Sequence, residues 1–144
     1  MITRLRRTRI LVDGDERLAE SFANEIARKH RVTVLEDANE GLAMIRMRES
    51  ARNSRYNLGE VLVTEAKAGV SGAVGIGIAV GRSPALASNL AIVDAAYAAR
   101  LPETDGWTDR LLGEERALAE RRAREERSVL RTRVSFETMD RPEE

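Results

Sequence analysis

The chain has 144 residues, with 24 basic side chains against 24 acidic ones, and its 42% hydrophobic and 33% charged content is that of one ordinary globular domain. That neutral balance, with only five aromatic residues, argues against a nucleic-acid-binding surface spread over the chain. The absence of cysteine excludes disulfides, thiol catalysis and cysteine-ligated zinc or iron–sulfur centres.

Residues 1–12 are expected to be a basic tail, since Arg4, Arg6, Arg7 and Arg9 crowd together at a chain end. The apolar run Ile10-Leu11-Val12 is cut off at once by Asp13-Gly14-Asp15, so it does not make a signal peptide. No other apolar run reaches bilayer length, and a cytoplasmic location is expected. Asp13 and Asp15 are helix N-cap residues, and Leu18, Phe22 and Ile26 recur every four residues beside Ala19, Ala23 and Ala27. That amphipathic helix closes on Arg28, Lys29 and His30, whose charges suit a helix C-terminus. His30 is the only histidine and cannot by itself hold a metal.

Four strands follow in this reading: Arg31 to Leu35, Gly41 to Arg48, Glu60 to Ala66 and Ala73 to Val80. The short connections favour an antiparallel meander. In the last strand Val74, Ile76, Ile78 and Val80 point one way, and Ala73, Gly75, Gly77 and Ala79 the other. Glycine inside a strand weakens it, so a bare glycine face predicts close approach of a backbone or a ligand. Ser83-Pro84 then starts an alanine-rich helix striped by Leu86, Leu90, Val93, Tyr97 and Leu101, which Pro102 ends. After a linker at 103–107, Thr108 opens a last helix whose apolar face is thin, with Leu111 and Leu118 seven residues apart. A face that thin predicts a helix that projects or lies on another subunit. Phe136 and Met139 punctuate the charged tail and suggest docking.

Few residues carry recognisable chemistry. Gly75, Gly77 and Gly81 lie within or at the end of a strand, not in the turn that a dinucleotide fingerprint requires, and no phosphate-loop lysine follows. Arg82 and Ser83, at a helix N-terminus, are the candidates for holding an anionic group such as a phosphate or phosphonate. Glu60 and Glu65 fall on opposite faces of one strand and cannot act together. Asp94, mid-helix on an alanine-lined side, salt-bridges or faces a partner. No catalytic constellation and no metal site is expected.

Taken in order, Gly-Glu-Val-Leu-Val-Thr-Glu-Ala at 59–66, Gly-Ile-Gly at 75–77, Gly-Arg at 81–82, Ala-Ile-Val-Asp-Ala at 91–95 and Val-Ser-Phe-Glu-Thr-Met at 134–139 resemble the PhnG family. The likeness runs from about Leu18 to Met139. Ser83 and Ser135 stand where that family often has an acid. The resemblance implies a subunit of the bacterial carbon–phosphorus lyase core complex, assembled with PhnH, PhnI and PhnJ. It further implies support for displacing adenine from MgATP by an alkylphosphonate, giving alpha-D-ribose 1-alkylphosphonate 5-triphosphate. MgATP would be a substrate of the whole transferase complex, and this chain would hold no cofactor and would not be catalytic alone.

The expected fold is therefore α+β and single-domain: a four-stranded antiparallel sheet, an N-terminal helix, and two C-terminal helices, the last partly extended. The expected organisation is a tail at 1–12, a core at 13–102, and a linker, charged helix and docking tail at 103–144. Leu118, Phe136, Thr138 and Met139 are the expected partner-binding residues. The competing expectation is a freestanding homo-oligomeric domain that holds a small phosphorylated or anionic ligand at Arg82 and Ser83.

Overall fold

A computed structural model describes residues 2–131. Its arginine-rich start is a helix rather than a solvated tail. In α1 (Arg4–Asp13) the Thr3 hydroxyl caps the first turn by accepting the Arg6 N–H at 3.3 Å. Ile10, Leu11 and Arg7 form its buried face. Gly14 separates it from α2 (Glu16–Lys29), where the Asp15 carboxylate accepts the Arg17 N–H at 3.0 Å as N-cap. Phe22 and Ile26 are fully buried with Ala19 and Ala23, as the four-residue spacing predicts.

The sheet has three antiparallel strands in the order β1-β2-β3, not four. The segments expected as separate strands at 31–35 and 41–48 are one continuous strand, β1 (Val32–Arg48). The polar run Glu36 to Glu40 reads as a break in the sequence, yet the chain passes through it with register shifts at Val34/Glu36 and Glu36/Asn39. Asn39 stabilises the irregularity by donating to Glu36 Oε1 at 3.0 Å and to the Asp37 carbonyl at 3.2 Å. β2 (Arg55–Val70) pairs with β1 along most of its length, but β3 (Ala73–Val80) reaches only from Val63 to Val70. Beyond Val63 the β1–β2 hairpin continues as a two-stranded ribbon.

α3 (Pro84–Ala98) lies across one face of β2 and β3. A Cβ built on Gly75 would strike the Ala91 carbonyl and the Ala95 backbone, and one on Gly77 would strike the Ala87 carbonyl and the Ala91 N–H. The glycine face therefore exists to let a helix backbone sit directly on a strand. Thr64, Ala66, Ala68 and Val70 of β2 complete this buried layer.

The residues after α3 form a 3₁₀ turn (Pro102–Trp107) and then α4 (Thr108–Arg131). Trp107 is buried and stacks on Phe22, with centroids 4.3 Å apart, while Tyr97 meets it edge-on at 5.7 Å. On α4 only Leu111 and Leu118 are buried, and both join the main core beside Ile10 and Leu11.

Candidate functional site

The Gly81–Ser83 turn, between β3 and α3, is held by a side chain on the neighbouring strand. Gly81 has φ +80°, a left-handed conformation that glycine adopts without strain. Its N–H bonds the Leu62 carbonyl at 2.8 Å. The Thr64 hydroxyl donates to the Gly81 carbonyl at 2.6 Å and accepts the Ser83 N–H at 3.1 Å. Thr64 is almost fully buried, so this brace is shielded from water.

Ser83 stands at the N-cap of α3, where a serine hydroxyl commonly accepts a backbone N–H, but here it does not. The helix starts from the Ser83 carbonyl, which accepts the Ala87 N–H at 2.9 Å. Arg82 is well exposed and its Nε lies 3.2 Å from Glu40 Oε1 across the turn. The structure thus sets a guanidinium, a free hydroxyl and a helix N-terminus side by side, on a surface where one glutamate is the cation's partner.

A second polar node lies under the opposite end of β3. Asp94 accepts Arg4 at 2.9 and 2.7 Å and Arg7 at 2.9 Å. It also accepts the Ile76 N–H at 3.2 Å. One carboxylate therefore ties α1 and the outer strand to α3. Burial lowers the affinity of the Arg7 guanidinium for its proton, and the charge of Asp94 partly restores it. The guanidinium also sits 3.8 Å from the Tyr97 ring centroid. This is a structural clamp, in which one carboxylate holds two guanidiniums.

The remaining candidates are dispersed. Glu60 is exposed on the ribbon opposite Met44, whereas Glu65 faces Ile78 and Lys67 on the far side of the sheet. His30 Nε2 lies 3.3 Å from Glu103 Oε1 at the end of α2. Leu118 packs within the chain's own core and borders a groove between α1 and α4 with Ile10 and Leu5. Phe136, Thr138 and Met139 lie outside the described residues. Among the described residues no group of three or more His, Asp or Glu side chains could hold a metal ion. None of their helices is long and apolar enough to cross a membrane.

Sequence reasoning missed Thr64 and Arg7. Thr64 acts across 17 and 19 residues, and Arg7 across 87, so neither partner can be read from local spacing.

A search of the curated proteins found no match to this chain. A family model described as phosphonate metabolism protein PhnG matches residues 2–142, nearly the whole chain. The chain belongs to that family, and its role lies in phosphonate metabolism.

Proposed function

From this membership we propose that the chain is an accessory subunit of the carbon–phosphorus lyase core complex in organophosphonate catabolism. It would assemble with PhnH-, PhnI- and PhnJ-like subunits in the cytoplasm. Its contribution would be to support the displacement of adenine from MgATP by an alkylphosphonate, with the reacting groups supplied by its partners. The observation that carries this reading is the family match across residues 2–142. The geometry supports it from another side: the polar nodes around Thr64 and Asp94 are engaged in holding the fold. Arg82 and Ser83 are the residues we would place nearest an anionic group in the assembled complex.

Co-expression with the three partner subunits tests the reading. The expected result is co-purification, with adenine release from MgATP and methylphosphonate falling when this subunit is left out. A stable monomer that never co-purifies with them, and whose omission leaves adenine release unchanged, overturns it.

A further inference from the structure

The sheet has two faces and α3 covers one of them. On the other face Val74, Ile76, Ile78 and Val80 of β3 are 40–65% exposed. The register places Val63 and Val61 of β2 on that same side, opposite Val80 and Ala43. β1 carries no extra residue through its last register shift, so Ala43, Ile45 and Met47 stay on this face, with Tyr56 paired to Met47. One apolar surface therefore runs from Val74 at one end of the sheet to Met47 and Tyr56 at the other. Its charged side chains form one cluster, in which Lys67 Nζ lies 2.6 Å from Glu36 and 3.6 Å from Glu65, leaving a single negative charge in excess.

The ribbon sharpens the point. From residue 41 to residue 60 nearly every side chain is exposed on both faces. A hairpin of two strands is marginal in water unless a further layer covers it. Its reverse side bears Arg46, Arg48 and Arg55, each exposed and none ion-paired among the described residues. Between Arg46 and Leu58 the ribbon and its turn hold four arginines against one acid, Glu49.

We infer that this uncovered sheet face and its ribbon are the surface by which the chain docks onto a different protein, one offering a cleft with an apolar wall and an acidic wall. The inference rests on the assembly reading given above and names the surface that serves it. Seven half-exposed side chains of these types present on the order of 600 Å², against about 800 Å² per partner in a standard interface. A second copy is a poorer occupant, because ribbon-on-ribbon packing about a two-fold axis would set like arginine clusters together. Duplex DNA admits a two-stranded ribbon, but apolar side chains at this density read few base edges.

The test uses the full chain co-expressed with the partner subunits named above. Ile45→Glu and Ile78→Glu change the surface at two separate points, and Leu5→Glu makes the same change at an exposed position on α1. Circular dichroism and thermal melting establish that each variant is folded. The expected result is at least about tenfold weaker capture for both sheet-face variants and no change for Leu5→Glu. Arg46→Glu with Arg48→Glu is expected to slow association and to reduce its dependence on salt.

If the wild-type chain assembles and the folded sheet-face variants assemble equally well, the inference fails while the assembly reading stands. If the wild-type chain assembles with none of the subunits, that reading fails and takes the inference with it. A wild-type homodimer dispersed by the same substitutions would make a second copy the occupant and overturn the inference. So would duplex DNA or anionic-vesicle binding that is lost in these variants while subunit capture is unchanged.

Discussion

Arg7 and Asp94 meet with Nη2 2.9 Å from Oδ1, and both side chains are largely withdrawn from solvent. The same carboxylate takes the backbone N–H of Ile76, so a single residue on α3 secures both the first helix and the outer strand. Removing the acid leaves a buried guanidinium without its counter-charge, and this is costlier than losing the pair as a whole. Asp94→Ala is expected to lower unfolding stability by about 3 kcal/mol or more, measured by urea denaturation. Arg7→Met with Asp94→Leu should cost clearly less than Asp94→Ala alone. Equal losses for the two would show that the charge pairing is not what matters.

Gly77 and Gly41 are both strand glycines, and the difference between them is what lies opposite. A Cβ at Gly77 runs into α3, whereas one at Gly41 meets nothing within 4 Å. Gly77→Ala is expected to cost at least the roughly 1–3 kcal/mol typical of an overfilled core, because a helix backbone cannot move aside as a side chain can. Gly41→Ala should be neutral or stabilising by about 0.5 kcal/mol through the unfolded chain. Comparing their thermal melts checks both. A Gly77→Ala protein as stable as wild type would mean that α3 does not rest on the strand.

These two cases mark how far the sequence could be read. The glycine face of β3 was legible because strand alternation is local: every second residue is small, and an alanine-rich helix follows. The long β1 was not, because Glu36 to Glu40 looks like a loop, and its bulges are stabilised only once β2 is beside them. Helix α1 was hidden for a similar reason. Its four arginines read as a solvated tail until Asp94, 90 residues from Arg4, and Glu115, 109 residues from Arg6, supply partners for three of them, Arg4, Arg6 and Arg7. At the candidate site, Arg82 and Ser83 were visible as neighbours at a helix start, while the Thr64 hydroxyl that sets their turn was not.

Trp107 carries a large share of the junction between α2, α3 and the 3₁₀ turn. Its ring is buried on Phe22, and its Nε1–H donates to Glu25 Oε2 at 2.9 Å. Trp107→Phe keeps an aromatic ring but loses that bond and part of the volume, so a loss of about 1–3 kcal/mol is expected. Because this is the only tryptophan, its emission reports the same junction in the wild-type protein. Native emission should be shifted to the blue and should redden in the same transition as the loss of helix. A tryptophan signal that changes well before the helix signal would mean that the junction opens on its own.

Arg82 separates a ligand role from a structural one. Its pairing with Glu40 is exposed on both sides, and such pairs contribute about 0–1 kcal/mol. Arg82→Ala is therefore expected to leave the isolated chain's stability within about 0.5 kcal/mol of wild type. A phosphate-dependent rise in melting temperature that is present in the wild type and lost in Arg82→Ala would give the guanidinium an anion-binding role of its own. No phosphate effect on the wild type would confine it, in the isolated chain, to its bond with Glu40.

Acid should loosen the junction near Glu103 for a reason with a definite sign. Its own backbone N–H holds the Glu103 carboxylate below its ordinary value of 4.5, burial opposes the effect, and His30 and Lys29 add to it. A carboxylate with a depressed pKa binds fewer protons in the folded chain than in the unfolded one. Its stabilisation is therefore present above 4.5 and is lost as the pH falls from there through the folded value. Glu36, held down by Lys67, and Glu115, held down by Arg6, act in the same direction. The melting temperature should accordingly fall steadily on acidification below that point. Glu103→Gln should melt lower at neutral pH and show a shallower acid limb, since its amide has no proton to gain. An acid limb as steep as wild type in Glu103→Gln would assign the loss to the other carboxylates, with Glu36→Gln and Glu115→Gln the next to compare.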